Sequence, residues 1–193
     1  MVDDMRTRWR PTSDLRVVFG ISLGGMLALK WAARHPDDVD YVVVANTSAA
    51  NLGLPHQRIL PKGLSTVIRS MRQPDHLSRE RQVLELICNH PERRDEVAEP
   101  WAALAADGGV PRGAVVRQIA AGALYRAPRQ LRQPLLVLSC PGDRFVDPGC
   151  SERLAARLGA RHERHPTAGH ALSVDAPDWT ADRIVEWLGD LGH

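Results

Sequence analysis

Aromatic surface is scarce in this chain: two Phe and two Tyr stand among 193 residues. Single-stranded nucleic acid is held on aromatic platforms interleaved with basic residues. The 25 Lys and Arg are interspersed with 23 Asp and Glu, for a formal charge of +2. There is no basic block to complete such a surface, so no nucleic-acid partner is expected. Cysteine is almost as rare. Cys88, Cys140 and Cys150 are odd in number and have neither disulfide nor zinc spacing, which reads as reduced thiols. Long apolar runs are missing too: no stretch approaches the roughly 20 residues needed to cross a bilayer. The opening Met1-Val2-Asp3-Asp4 is too acidic for a signal peptide. A cytoplasmic protein with no membrane partner is the expectation. Repeats and low-complexity segments are absent as well. His162, His165 and His170 have no acid or cysteine at ligand spacing, so neither a metal nor any other cofactor is expected.

What remains is an ordinary globular composition, long enough for one domain with a substantial core. Strand and helix patterns alternate in the front and back thirds, which argues for a parallel sheet with crossovers. The pattern gives a short polar helix near the start, then a strand over Val17-Val18-Phe19. A helix follows to about Arg34, ahead of His35-Pro36, and the next strand runs from Tyr41 to Ala45. Later come a buried strand, Leu135 to Ser139, a helix from Gly149 to Leu158 closed by Gly159, and a short exposed strand, Arg161 to His165. The last helix is expected to bury Ile184, Trp187, Leu188 and Leu191. Between Asn51 and Gln130 apolar residues recur at three and four, as in Val83, Leu84, Leu86 and Ile87. Pro55, Pro61, Pro74, Pro91, Pro100, Pro111 and Pro128 punctuate that run, so several short helices are expected there.

The chemistry is concentrated in three loops. Gly20-Ile21-Ser22-Leu23-Gly24 lies between a strand and a helix, the layout of a nucleophile elbow. There a strained turn lifts a serine hydroxyl clear of the backbone. Gly20 and Gly24 are expected to be steric requirements of that turn. A serine nucleophile needs a histidine base, and the base needs a carboxylate to fix its tautomer. Asp143 and Asp147 lie in the loop after the Leu135 to Ser139 strand, and His170 lies in Thr167-Ala168-Gly169-His170 before the terminal helix. Acids at the carboxyl ends of parallel strands sit where such sheets place their sites.

In order and spacing, Gly20 to Gly25, Gly142-Asp143-Arg144-Phe145-Val146 and Gly169-His170-Ala171-Leu172 resemble the three catalytic segments of the α/β-hydrolase superfamily. The resemblance implies an α/β class: a partial α/β-hydrolase fold with a mostly parallel sheet, flanking helices and a helical cap insertion. Residues 1–50 and 131–193 would be the core and 51–130 the cap. It implies Ser22 as nucleophile, His170 as base, and the backbone N–H of Leu23 as an oxyanion donor. Asp143 is favoured over Asp147 as the acid, because it opens the Asp-x-x-Val stretch common in the family, while Asp147 beside Pro148 reads as a helix start. Some members carry the acid one strand earlier, but here that strand ends in Asn46-Thr47.

Only 21 residues precede Ser22, whereas complete members have several strands before their elbow and take a second oxyanion amide from that region. The chain thus looks like about the carboxyl-terminal two-thirds of a hydrolase. Two readings stand side by side. One is a serine hydrolase cleaving a small-molecule carboxylic ester or thioester through an acyl-serine, with acyl transfer open to the same triad. The other is a truncated protein that keeps the triad but is inactive or only binds. On either reading the Val17 to Phe19 strand would have an open edge, and self-association through it is expected.

Overall fold

The computed structural model describes residues 2–108 and 112–192. The chain opens with helix α1 (Val2–Arg8), strand β1 (Val17–Ile21), helix α2 (Leu23–Arg34) and strand β2 (Tyr41–Ala45). A 3-10 turn at Pro55–Gln57 leads into α3 (Pro61–Ser70), α4 (His76–Ile87), α5 (Pro91–Ala106) and α6 (Arg112–Leu124). The sheet resumes with β3 (Leu135–Ser139), α7 (Gly149–Leu158) and β4 (Arg161–Arg164). Helices α8 (Leu172–Asp175) and α9 (Pro177–Asp190) close the chain.

The four strands lie in the order β1-β2-β3-β4, and every pairing is parallel. A parallel sheet covered on both faces should read as continuous apolar runs, and Val42–Ala45 and Leu135–Ser139 do. Alternation divides them between two cores. Val42, Val44, Leu135 and Val137 pack with Ala28, Leu29 and Ala32 of α2 and Leu154 of α7. Val43, Ala45, Leu136 and Leu138 pack with Leu172 of α8 and Trp187 of α9. Each fully buried Leu or Val contributes about 1.5–3 kcal/mol. Trp187 meets Tyr41 edge-on at 5.7 Å.

Helix α1 is tied to α2 by the Asp38 carboxylate, which accepts from Arg6 at 2.6 Å and from the Trp31 indole at 2.9 Å. Trp9 meets Trp31 edge-on at 5.6 Å. Strand β1 is the sheet edge, and Val17 and Phe19 are 37% and 39% exposed.

In the region between β2 and β3, prolines stand at the starts of the 3-10 turn, α3 and α5, where a missing N–H costs nothing, while Pro100 lies inside α5. Pro111 lies outside the described residues. Three local expectations need correction. Leu191 is exposed rather than buried, because α9 stops at Asp190. β4 stops at Arg164, and His165 turns back so that its Nδ1 accepts the Ala168 N–H at 2.9 Å. His162 is half-buried rather than exposed and bonds the Ser139 hydroxyl at 2.8 Å.

Candidate active site

Ser22 is the single residue between β1 and α2, and its backbone sits at φ 56°, ψ −117°. Strain of this kind costs on the order of 1–3 kcal/mol in a non-glycine residue and needs support. Three hydrogen bonds supply it. The Ser22 N–H donates to Ala45 O at 2.9 Å, and Ser22 O accepts from Met26 N at 3.2 Å and from the Thr47 hydroxyl at 2.7 Å. A Cβ on Gly20 would lie 2.3 Å from Gly24 O, so Gly20 is sterically forced. Gly24 is not, since an added Cβ there meets nothing within 4 Å. The second tight position is Gly25, whose Cβ would come to 3.0 Å from the Thr47 Cβ. The crowding comes both from Thr47, just after β2, and from Gly20 O at 3.1 Å within the turn. Leu23 is the first residue of α2, so its N–H has no intrahelical acceptor and is free for an oxyanion.

His170 and Asp143 are each 5% exposed, and His170 Nδ1 lies 2.7 Å from Asp143 Oδ2. The other carboxylate oxygen accepts the N–H groups of Phe145 at 2.8 Å and Val146 at 2.9 Å. Both oxygens are thereby engaged, which satisfies and fixes a buried carboxylate. With Nδ1–H donating to Asp143, Nε2 is left as the acceptor. Phe145 presents itself edge-on to the His170 ring at 5.0 Å. Asp147 is engaged elsewhere: its Oδ1 accepts Gly149 N at 2.8 Å at the start of α7. Among the described residues no hydrogen bond joins the Ser22 hydroxyl to His170. In unliganded sites that link often tightens only when substrate binds.

Two residues that the sequence reading did not assign hold these parts together. Asn46 directly follows β2 at φ 47° and is 2% exposed. Its amide donates to His170 O at 2.9 Å and accepts Cys140 N at 3.1 Å. Its neighbour Ala45 receives the Ser22 N–H, so one strand end registers both the serine and the histidine. Asp175 is 7% exposed and accepts N–H groups from Gly169 at 2.6 Å, Asn89 at 2.8 Å and His90 at 3.2 Å. Burial alone would raise its pKa, but these donors and the Cys88 thiol outweigh burial and hold it below the ordinary carboxylate value.

Asp175 thus clasps the α4–α5 junction to the histidine loop. Asn89 extends the clasp by donating to Gly142 O and Thr167 O, each at 3.0 Å. This packing explains two glycines: a Cβ on Gly142 would lie 2.6 Å from the Asn89 amide, and one on Gly169 2.7 Å from Ile87 O. An acid amid Leu172, Val174 and Ala176 was the available sequence signal for a buried carboxylate.

The helical region also reaches the acid loop. Residues 59 and 146 form an antiparallel bridge, Leu60 N donates to Phe145 O at 2.9 Å, and Gly63 packs against Phe145. Buried Arg58 closes the carboxyl end of α6 by donating to Gly122 O and Ala123 O, each at 2.7 Å. Burial lowers its pKa from the ordinary value. Gly122 of α6 lies over Leu23 and Met26. Burial pushes the Cys88 and Cys140 thiols up to about 12, so neither supplies a thiolate nucleophile. Among the described residues no helix is long and apolar enough to cross a membrane.

A family model described as serine aminopeptidase, S33, matches residues 1–175. Among solved structures, the chain resembles a serine hydrolase from the polyaromatic-hydrocarbon-degrading bacterium Cycloclasticus zankles (TM-score 0.71, 14% identity, 90% of this chain and 64% of that one). It also resembles a candidate aryl esterase from Burkholderia cenocepacia (0.70, 22%, 97% and 69%) and a thermophilic esterase from Thermogutta terrifontis (0.62, 20%, 92% and 65%). At these identities the likeness is one of fold. The chain spans about two thirds of the length of each of these structures. No curated protein matches it.

Proposed function

The chain belongs to the serine aminopeptidase S33 family of α/β-hydrolases, and on that footing we propose that it cleaves a carboxylic ester or thioester through an acyl-serine formed on Ser22. The observation that carries this reading is the His170–Asp143 pair at 2.7 Å, registered by Asn46 to the strand end that also holds the strained Ser22. His170 Nε2 takes the Ser22 proton as Oγ attacks the substrate carbonyl, and the Leu23 N–H stabilises the oxyanion. The same imidazole returns the proton to the leaving group, then activates water for deacylation. Asp143 orients the imidazole through Nδ1 and stabilises the imidazolium. A serine at this position argues for acyl chemistry rather than for alkyl-ester chemistry on an aspartate.

The esterase names of the structural relatives support an ester substrate. In this reading the helices between β2 and β3 form a cap, supported by the contacts of α3 with Phe145 and of α6 with Leu23. A lid of this kind excludes water and shapes the pocket. The buried thiols support a reducing, cytoplasmic setting. Acyl transfer to another acceptor would use the same residues.

The test is incubation with p-nitrophenyl butyrate and intact-mass measurement after an acid quench. Expected is a transient butyryl adduct mapping to the Ser22 peptide and absent from Ser22→Ala. Ester turnover with no adduct, or with the adduct on another residue, would refute the acyl-Ser22 route.

A further inference from the structure

Away from the Ser22–His170 centre, four cations converge on one cavity. Lys62 and Arg69 from α3, Arg94 from α5 and Arg144 from the acid loop line a space of about 290 Å³. Among the described residues that line it, the only carboxylate is that of exposed Glu85. Among the described residues none of the four cations forms an ion pair. Other arginines, such as Arg6, Arg16 and Arg161, meet a carboxylate directly. Like charges gathered around a small cavity repel one another, and a bound anion relieves that repulsion.

Hydrogen bonding fixes one of these cations in place. Arg144 donates from one terminal nitrogen to Glu85 O at 2.5 Å and to Cys88 O at 2.9 Å, which pins the guanidinium on the carboxyl end of α4. Its Nε, like those of Arg94, Arg153 and Arg183, is buried with no hydrogen-bond partner. Guanidinium forks match oxyanions of carboxylate or phosphate geometry. Cations approaching from α3, α5 and the acid loop suit an anion with several oxygens and two charges better than a monocarboxylate. The volume lies at the small end of ligand pockets.

We propose that this cavity is a binding site for a small phosphate-class dianion, either free phosphate or a phosphomonoester, separate from the catalytic centre.

The experiment is calorimetric titration of the intact chain with inorganic phosphate at pH 7.5, with chloride holding ionic strength constant. A single saturable site with Kd below about 1 mM is expected. Acetate should bind at least about tenfold more weakly, and Arg94→Gln should weaken phosphate at least about tenfold. Arg132→Gln, whose partner is Asp37 at 3.2 Å, should leave the affinity unchanged. If Arg94→Gln does not fold, exposed Lys62→Gln replaces it with the same expectation. Phenyl phosphate separates the sources: tighter binding than phosphate marks a phosphomonoester site, and equal or weaker binding a free-phosphate site. Either result supports the proposal. Absence of saturable heat, equal affinity for acetate, or wild-type affinity in both Arg94→Gln and Lys62→Gln would overturn it.

Discussion

Replacing Asn46 by alanine should cost far more than replacing Asn51, although each amide makes two strong bonds to backbone. Asn46 donates to His170 O at 2.9 Å and accepts Cys140 N at 3.1 Å. Asn51 donates to Ala127 O at 3.0 Å and accepts Ala127 N at 2.9 Å. Burial is what separates them, because Asn46 is 2% exposed whereas Asn51 is only half-buried. Each backbone group stripped of its partner in the interior costs about 1–3 kcal/mol. Alanine at the φ of 47° adds about 1–2 kcal/mol that asparagine largely escapes. The sum for Asn46→Ala is about 3–8 kcal/mol, much of a domain's typical stability. Water can repair the loss at Asn51, so about 1 kcal/mol is expected there. Urea unfolding followed by circular dichroism, with m-values compared, measures both. Losses equal within about 0.5 kcal/mol would refute the idea that buried Asn46 registers the histidine loop.

Further outcomes follow from the same geometry. Asp143→Asn should leave the fold intact and lower ester turnover by about 10⁴, the loss this change causes in other serine triads. Asp147→Asn should cost little by comparison, and equal losses would show that the acid loop is misread. Asp175, held below the ordinary carboxylate value by its donors, contributes stability above the unfolded pKa of roughly 3.9 and loses it as pH falls through its lower folded value. The stability gap between the wild-type chain and Asp175→Asn should therefore be full at pH 7 and close in acid below about pH 4. A gap unchanged from pH 7 to pH 3 would contradict the assignment. Val17 and Phe19, exposed on the edge strand, should promote self-association of this chain. Phe19→Lys should shift sedimentation toward the monomer, and a wild-type chain already monomeric at high concentration would count against the edge.

Where local pattern decides structure, the sequence was legible. β2, β3 and α2 follow from uninterrupted apolar runs and from 3.6-residue periodicity, because a strand buried on both faces leaves no other pattern. The elbow was legible because a G-x-S-x-G between strand and helix has few alternatives, yet the role given to Gly24 belongs to Gly25. Part of that crowding comes from Thr47, in the loop after β2, and no local pattern carries it. Asn46 and Asp175 were missed for the same reason: their partners are distant in sequence, as with the Asn46–His170 bond across 124 positions. The end of α9 depends on where the last turn meets the core, so Leu191 fitted the helical period and still fell outside the helix.

The central claim is that Ser22 is a nucleophile activated by His170. Labelling of the intact chain with a fluorophosphonate, followed by peptide mass spectrometry, tests it most directly. Expected is one adduct on Ser22, abolished in Ser22→Ala and at least about 100-fold slower to form in His170→Ala, since removing the base takes away general-base assistance. An unlabelled wild-type chain, labelling that survives Ser22→Ala, or a rate indifferent to His170 would contradict the account.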